Sequence, residues 1–265
     1  MQERFLEERG IAYRVNEFKE GRPTLVFLHG FSSSLSIWAP FEKLFEDTYN
    51  ILMYDQRGNG KSVRPKTYPE YSLRKHIQDL RALLDELHIE SPIIIGFSFG
   101  SIIAMEFLRA HPGAAKRAIF IAPVYGLRWR YFVYSTRNFL AYLAQHTPHM
   151  PHLNTRLNYA KLQGESDRNP GLTWKHINST GAREYLWELE QIYTQDTDAH
   201  WRELSLPCFL VHGSNDHVIP LRFAVMLERH IPTAKLLVIE GGNHMLPINH
   251  VDELSEAIRN AVENY

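Results

Sequence analysis

The chain has 265 residues, 44% hydrophobic and 22% charged, with a formal net charge of −1 and a pI near 6.9. That balance belongs to a folded globular chain rather than a disordered one. The length suits one large α/β domain, or a core with a modest insertion. There is no global positive field to hold a polyanion, so nucleic acid is not an expected partner. No apolar run is long enough to span a bilayer, so stable membrane insertion is not expected. Residues Met1 to Arg9 (MQERFLEER) are too charged for the apolar core of a signal peptide. The single cysteine, Cys208, excludes an intrachain disulfide and fits a reducing compartment. These features together lead us to expect a cytoplasmic protein. Cys208 sits in the apolar run Leu206–Val211 and reads as a small buried hydrophobe.

From Ile11 to Phe120, short β-like runs alternate with helical patterns. Pro23–Leu28 is an apolar strand ending in His29-Gly30. Tyr49–Asp55 is a second, followed by Gln56-Arg57-Gly58-Asn59-Gly60. Pro92–Gly96 and Ala118–Ala122 are the next two. Unbroken apolar runs of this kind suit strands buried on both faces. Between them, Ser72 precedes Leu73, Ile77, Leu80, Leu83, Leu84 and Leu87 at helical spacing. Ile102 to Leu108 forms another apolar run, stopped at His111-Pro112-Gly113. The alternation resumes at Cys208–His212, then Leu221–Arg229, Lys235–Ile239 and a closing helix over about 251–262. Between Pro123 and Leu206 there is no clear strand. The pattern predicts a doubly wound, mostly parallel sheet with a helical cap inserted after the sixth strand. The core would comprise residues 1–123 and 206–265, and the cap 124–205.

Gly96-Phe97-Ser98-Phe99-Gly100 lies between an expected strand and an expected helix. A Gly-x-Ser-x-Gly turn there is strained, and its small residues let strand and helix approach closely. The serine hydroxyl then projects above the sheet at a helix N-terminus. Serine is a weak nucleophile without a base held by a third group. Asp216 falls in the loop after the next-to-last strand, and His244 in the loop after the last. Both side chains would converge on Ser98 from adjacent strand ends, in the chain order Ser, Asp, His.

The set His29-Gly30-Phe31, Asp55 to Ser62, Gly96 to Gly100, Asp216 and Gly242-Asn243-His244 resembles the α/β-hydrolase superfamily over nearly the whole chain. Its order and spacing are similar to the capped serine hydrolase branch of esterases, lipases and carbon–carbon hydrolases. The resemblance implies Ser98 as nucleophile, His244 as base and Asp216 as the residue that orients it. It also implies an oxyanion hole made by the backbone N–H groups of Phe31 and Phe99. Three positions depart from many relatives. Phe97 stands where histidine is common, Ser101 where a second glycine is common, and Met245 where carbon–carbon hydrolases often carry tryptophan. A serine in place of aspartate disfavours the alkyl–enzyme chemistry of haloalkane dehalogenases and epoxide hydrolases.

Other residues have plainer readings. His29 is expected to brace the oxyanion loop, His212 to be packed, and His217 to point away from the serine. The turn after Asp55 lacks Walker spacing and reads as structural. No cofactor fingerprint and no metal-ligand spacing are visible, so neither is expected. In the cap, Trp129, Phe132, Phe139 and Leu143 share a helical face and, with Met245, are expected to line an apolar substrate pocket. Glu184, Glu188 and Glu190 are expected on a solvated helix face; in an enzyme that cleaves N-terminal proline they would instead hold the substrate ammonium. The expected activity is hydrolysis of a carboxylic ester or thioester of a small, largely apolar acyl group, with that small molecule as partner. Carbon–carbon bond hydrolysis and N-terminal proline cleavage are the alternatives. A small-ligand receptor that keeps the fold is the non-enzymatic one.

Overall fold

The computed structural model describes residues 1–125, 139, 142–143, 146–147, 156–194 and 199–263. Its strands are β1 (Gln2–Leu6), β2 (Ile11–Val15), β3 (Thr24–Leu28), β4 (Asn50–Tyr54), β5 (Ile93–Phe97), β6 (Arg117–Ile121), β7 (Cys208–Gly213) and β8 (Ala234–Ile239). They form one sheet in the order β1-β2-β4-β3-β5-β6-β7-β8. β2 runs antiparallel to both neighbours, and every other pairing is parallel. Among the described residues, the helices of seven residues or more are α1 (Ala39–Phe45), α2 (Leu73–Glu86), α3 (Phe99–Ala110), α4 (Pro170–Thr180), α5 (Ala182–Thr194), α6 (Leu221–His230) and α7 (Val251–Glu263). Helices α4 and α5 lie in the stretch between β6 and β7, with no strand among its described residues.

Pleating divides the core into two layers. Val26, Leu28, Ile94 and Phe120 pack with Leu80 and Leu83 of α2 and Ile102 and Phe107 of α3. Leu25, Phe27, Ile95 and Ile119 face the other way, onto Phe41 and Phe45 of α1 and Leu254 and Ile258 of α7. This is the double coverage that the unbroken apolar runs require. Each large side chain so buried contributes about 1.5–3 kcal/mol of hydrophobic transfer free energy. Cys208 is fully buried, and burial pushes its thiol up to about 12.

β1 was not marked by its sequence, because four of its five residues are exposed and carry an edge pattern rather than a core one. The charges near it do have partners. Asp55 is wholly buried at the end of β4. It accepts the N–H groups of Leu35 (2.7 Å) and Lys61 (2.8 Å) and pairs with Arg156 Nε at 2.8 Å. Arg156 also pairs with Glu3 on β1. A Cβ on Gly60 would lie 2.2 Å from the Asp55 carboxylate, so the glycine-rich turn closes on that side chain. Beside it, Arg57 Nε and Nη2 meet Asp79 of α2 at 2.6 and 2.7 Å, with both residues buried. Arg9 joins the same carboxylate from the β1–β2 turn.

Removing one partner from a buried, bidentate pair leaves an uncompensated charge and costs about 3–5 kcal/mol. Asp79→Ala should therefore lower the unfolding free energy measured in urea by that amount, through a lower midpoint at an unchanged m-value. A loss under about 1 kcal/mol would mean that water reaches Arg57.

Candidate active site

The strand order places a topological switch between β3 and β5. The chain leaves β3 towards β4 on one side and leaves β5 towards β6 on the other, which opens a crevice at their carboxyl ends. The loop after β3 supplies Gly30 and Phe31, and the turn after β5 supplies Ser98 and Phe99.

Ser98 has φ +50° and ψ −117°. That left-handed setting is strained for a residue with a Cβ, and the local packing enforces it. A Cβ on Gly96 would come within 2.6 Å of the Gly100 carbonyl oxygen. One on Gly100 would come within 2.6 Å of the carbonyl oxygens of both Leu28 and His29. Glycine is required at both positions because the backbones of β3, β5 and α3 touch there. The Ser98 N–H donates to Ile121 O at 2.9 Å, pinning the turn to β6. Ser101, where a glycine is common in similar sequences, has work of its own. Its hydroxyl donates to Ser98 O (2.5 Å) and accepts the Val124 N–H (3.2 Å). Phe97 lies against the His244 ring, with centroids 5.3 Å apart.

The three side chains expected to work together are in line. His244 Nε2 lies 3.2 Å from Ser98 Oγ, and Nδ1 lies 2.8 Å from Asp216 Oδ2. Asp216 Oδ1 accepts the N–H groups of Val218 (2.9 Å) and Ile219 (2.7 Å). Burial works to raise the Asp216 carboxyl, but the hydrogen bond and charge of His244, with the Ile219 N–H, hold it below the usual carboxylate range. An ionised Asp216 fixes the proton of His244 on Nδ1, leaving Nε2 free to accept from the serine hydroxyl. The Phe31 and Phe99 N–H groups donate to no group among the described residues. A Cβ on Gly30 would meet Ser98 Cβ at 3.4 Å, so the two loops lie side by side.

His29 is fully buried, and burial pushes it down to about 4 against the pull of Asp55. Its neutral ring donates from Nδ1 to Gly30 O (2.8 Å) and accepts the Gln56 N–H at Nε2 (2.9 Å), tying the loop after β3 to the turn after β4. His212 is buried and donates from Nε2 to Ile219 O at 2.8 Å, behind the acid. His217 is exposed and meets Arg168, away from Ser98.

A cavity of about 220 Å³ opens above Ser98 and His244. Its apolar walls include Phe31, Ile37, Val124, Leu172, Leu189, Ile192 and Met245. Ser32, Ser33, Thr173 and His176 form a more polar side. Of the other residues expected to line a pocket, Trp129 and Phe132 lie outside the described residues. Phe139 does not line it: the side chain is 59% exposed and turned to solvent. Leu143 is half-buried and is not part of this wall. An amphipathic stripe specifies that a face is buried, not against what. Glu184, Glu188 and Glu190 are also corrected, since all three are buried. Helix α5 is packed against the core turns around Gly58 and Tyr71, so it has no solvated face at those positions.

Two sets of contacts carried no sequence signal. Asp167 Oδ2 accepts the N–H groups of both His217 and His244, each at 3.1 Å, and so pins both loops that bear Asp216 and His244. Glu188 Oε2 accepts the Ser32 N–H at 3.2 Å and Oε1 accepts from Asn59 at 2.5 Å. Burial pushes Glu188 up to about 7, opposed by Asn59, the Ser32 N–H and Arg64, and reinforced by Glu184.

A doubly wound, mostly parallel sheet with Ser98 at its switch point and His244 and Asp216 brought to it from the loops after β8 and β7 defines a class of hydrolase scaffold. The chain belongs to the alpha/beta hydrolase fold family, whose model matches residues 23–251. It is 25% identical to a proline iminopeptidase of Lactobacillus crispatus, over 96% of this chain and 94% of that protein. It is 32% identical to a probable oxidoreductase EphD of Mycobacterium tuberculosis, but over only 43% of this chain and 20% of that one, so the match spans a fifth of the relative's length. Among solved structures, it superposes on an esterase from Exiguobacterium antarcticum with a TM-score of 0.73 at 19% identity, covering 96% of each chain. It superposes on a bromoperoxidase from Bacillus anthracis at 0.74 and 21%, covering 96% and 95%. At those identities the likeness concerns the fold alone. No helix among the described residues is long and apolar enough to cross a membrane.

The elbow glycines generate a direct expectation. Gly100→Ala forces a methyl into two backbone carbonyls, an overpacking that costs about 1–3 kcal/mol or more. The variant should show both a lower thermal midpoint and slowed labelling of Ser98 by a fluorophosphonate. Normal labelling at an unchanged midpoint would mean that α3 can retreat from β3.

Proposed function

We propose that the chain is a serine hydrolase that cleaves a carboxylic ester or thioester of a small, largely apolar acyl group through an acyl-enzyme. Ser98 Oγ attacks the carbonyl carbon while His244 Nε2 takes the hydroxyl proton. The Phe31 and Phe99 N–H groups hold the oxyanion of the tetrahedral intermediate. His244 then gives its proton to the leaving oxygen or sulfur, and the acyl group remains on Ser98. Water, deprotonated by the same histidine, attacks the ester and releases the acid. Asp216 orients the imidazole and stabilises its charged form. The observation that carries this reading is the continuous line from Asp216 through His244 to Ser98, at 2.8 and 3.2 Å, beneath a mostly apolar cavity.

We read residues 1–123 and 206–265 as the core and 124–205 as a cap that roofs the cavity. The buried, unpaired Cys208 suits a reducing compartment, and we take the enzyme to act in the cytoplasm on a small-molecule ester. Proline cleavage has in its favour the full-length likeness to an iminopeptidase. Against it, Glu184, Glu188 and Glu190 are not among the residues lining the cavity, and Glu188 has both oxygens engaged elsewhere.

Ser98→Ala should remove hydrolysis of p-nitrophenyl butyrate by a factor on the order of a million, with an unchanged circular dichroism spectrum and no fluorophosphonate label. Retention of more than a few per cent of the activity would move the nucleophile elsewhere. Asp216→Asn should cost about ten-thousandfold in kcat, because the amide favours the wrong imidazole tautomer. A wild-type rate in that variant would remove Asp216 from the mechanism. Assayed side by side, a prolyl amide and a dienone acid should be turned over far more slowly than the ester.

A further inference from the structure

The helices between β6 and β7 also grip the loop that carries Phe31. Ser32, the next residue, has φ +50°, a setting that serine avoids unless it is held. All of its polar groups are taken by α4 and α5. Its N–H donates to Glu188 Oε2 at 3.2 Å, and its carbonyl accepts from His176 Nδ1 at 2.5 Å. Its hydroxyl bonds Thr180 Oγ1 at 2.6 Å. The adjacent Ser33 hydroxyl bonds Tyr159 OH at 2.7 Å. Glu188 is fully buried, and its second oxygen takes the Asn59 amide from the turn after β4. A carboxylate there is a poor choice for packing alone, because a buried acid is costly wherever an apolar side chain of similar volume fits. Its two acceptors instead match two donors, one of them the backbone of the oxyanion loop.

We propose that Glu188 is a positioning residue for the reaction: from α5 it holds Ser32 in its left-handed turn and thereby aims the Phe31 N–H at the substrate oxyanion. This rests on the assignment of Ser98 as nucleophile. The oxyanion hole is thus completed by the segment that roofs the cavity, and helix α5 and the chemistry are coupled through one side chain. Because the Phe31 N–H acts on charge that develops only in the tetrahedral state, its misplacement lowers kcat rather than substrate affinity.

The test uses two variants of the full chain. Glu188→Leu keeps bulk and removes the acceptor. Glu188→Gln keeps an oxygen for the Ser32 N–H, and Asn59 can turn its amide to accept from the new NH₂. Competent sites are counted first by the end-point of fluorophosphonate labelling, so that kcat is expressed per folded active site. With p-nitrophenyl butyrate, Glu188→Leu is expected to lose about a hundredfold in kcat, the scale of a misplacement near 1 Å. KM should stay within about threefold, and a trifluoromethyl ketone, which forms a tetrahedral oxyanion on Ser98, should weaken in proportion to kcat. Glu188→Gln should recover most of the loss. A lowered thermal midpoint with kcat per site and inhibitor affinity unchanged would overturn the proposal, and so would a Gln variant no better than Leu. Should Glu188→Leu fail to fold, Thr180→Val removes one of the two partners of the Ser32 hydroxyl, leaving only the His176 carbonyl at 3.2 Å. It is then expected to lose about tenfold with the same split between kcat and KM, and an unchanged kcat would overturn the proposal. If wild-type Ser98 takes no label, the nucleophile assignment falls and takes this proposal with it; full labelling with an unchanged kcat in Glu188→Leu sinks this one alone.

Discussion

Three backbones meet where β5 turns into α3, and their separation is set by the absence of two side chains. Gly96 faces the Gly100 carbonyl, and Gly100 faces those of Leu28 and His29. Any Cβ at either place would push α3 away from the sheet, and Ser98 could then relax from φ +50° towards an ordinary value. The hydroxyl would no longer stand over the crevice, nor the Phe99 N–H beside Phe31. The distances from Ser98 to His244 and from His244 to Asp216 therefore depend on packing that neither of those two residues makes. The two apolar layers on either face of the sheet supply the stiffness that keeps the strain in place.

The parts of the site that follow from strand ends were legible in the chain itself. Ser98, Asp216 and His244 each sit one short loop beyond an apolar run, and a parallel sheet gathers such loops at one edge. The sheet was legible for the same reason, apart from β2, for which no strand was read, and β1, whose exposed charges follow edge rules rather than core rules. What stayed hidden depends on contacts between distant segments. Ser32 and Glu188 are 156 residues apart, and nothing in either neighbourhood announces the other. Glu184, Glu188 and Glu190 look like a solvated face because acids on a helix usually are one. Their burial arises from where α5 is docked, which helical spacing does not encode. Phe139 erred in the opposite direction, as an aromatic on an apolar stripe that ends exposed.

The departures from similar sequences acquire a shared logic once the contacts are known. Ser101 fills a place where glycine is common and uses its hydroxyl to bind the elbow to Val124, at the start of the segment after β6. Phe97 supports the His244 ring from below. Asp167 and Glu188, both from the segment between β6 and β7, reach down to the loops of His244 and Phe31 respectively. The geometry of the site is shared between the sheet and the segment between β6 and β7, and polar contacts to backbone N–H groups carry much of that sharing.

The pairing of Asp55 with Arg156 bears on how freely the segment between β6 and β7 can be exchanged. Asp55 sits at the end of a strand of the sheet and is wholly buried, while the guanidinium that neutralises it arrives from Arg156, within the segment between β6 and β7. A foreign segment spliced between β6 and β7 would need to bring its own cation to that spot, or strand a carboxylate in the interior with only two backbone N–H groups for company. Modularity in this protein accordingly stops short of the splice points. A transplant that respects every strand boundary could still fail on one missing arginine, and a library of chimeras across this segment would be best built with Arg156 retained.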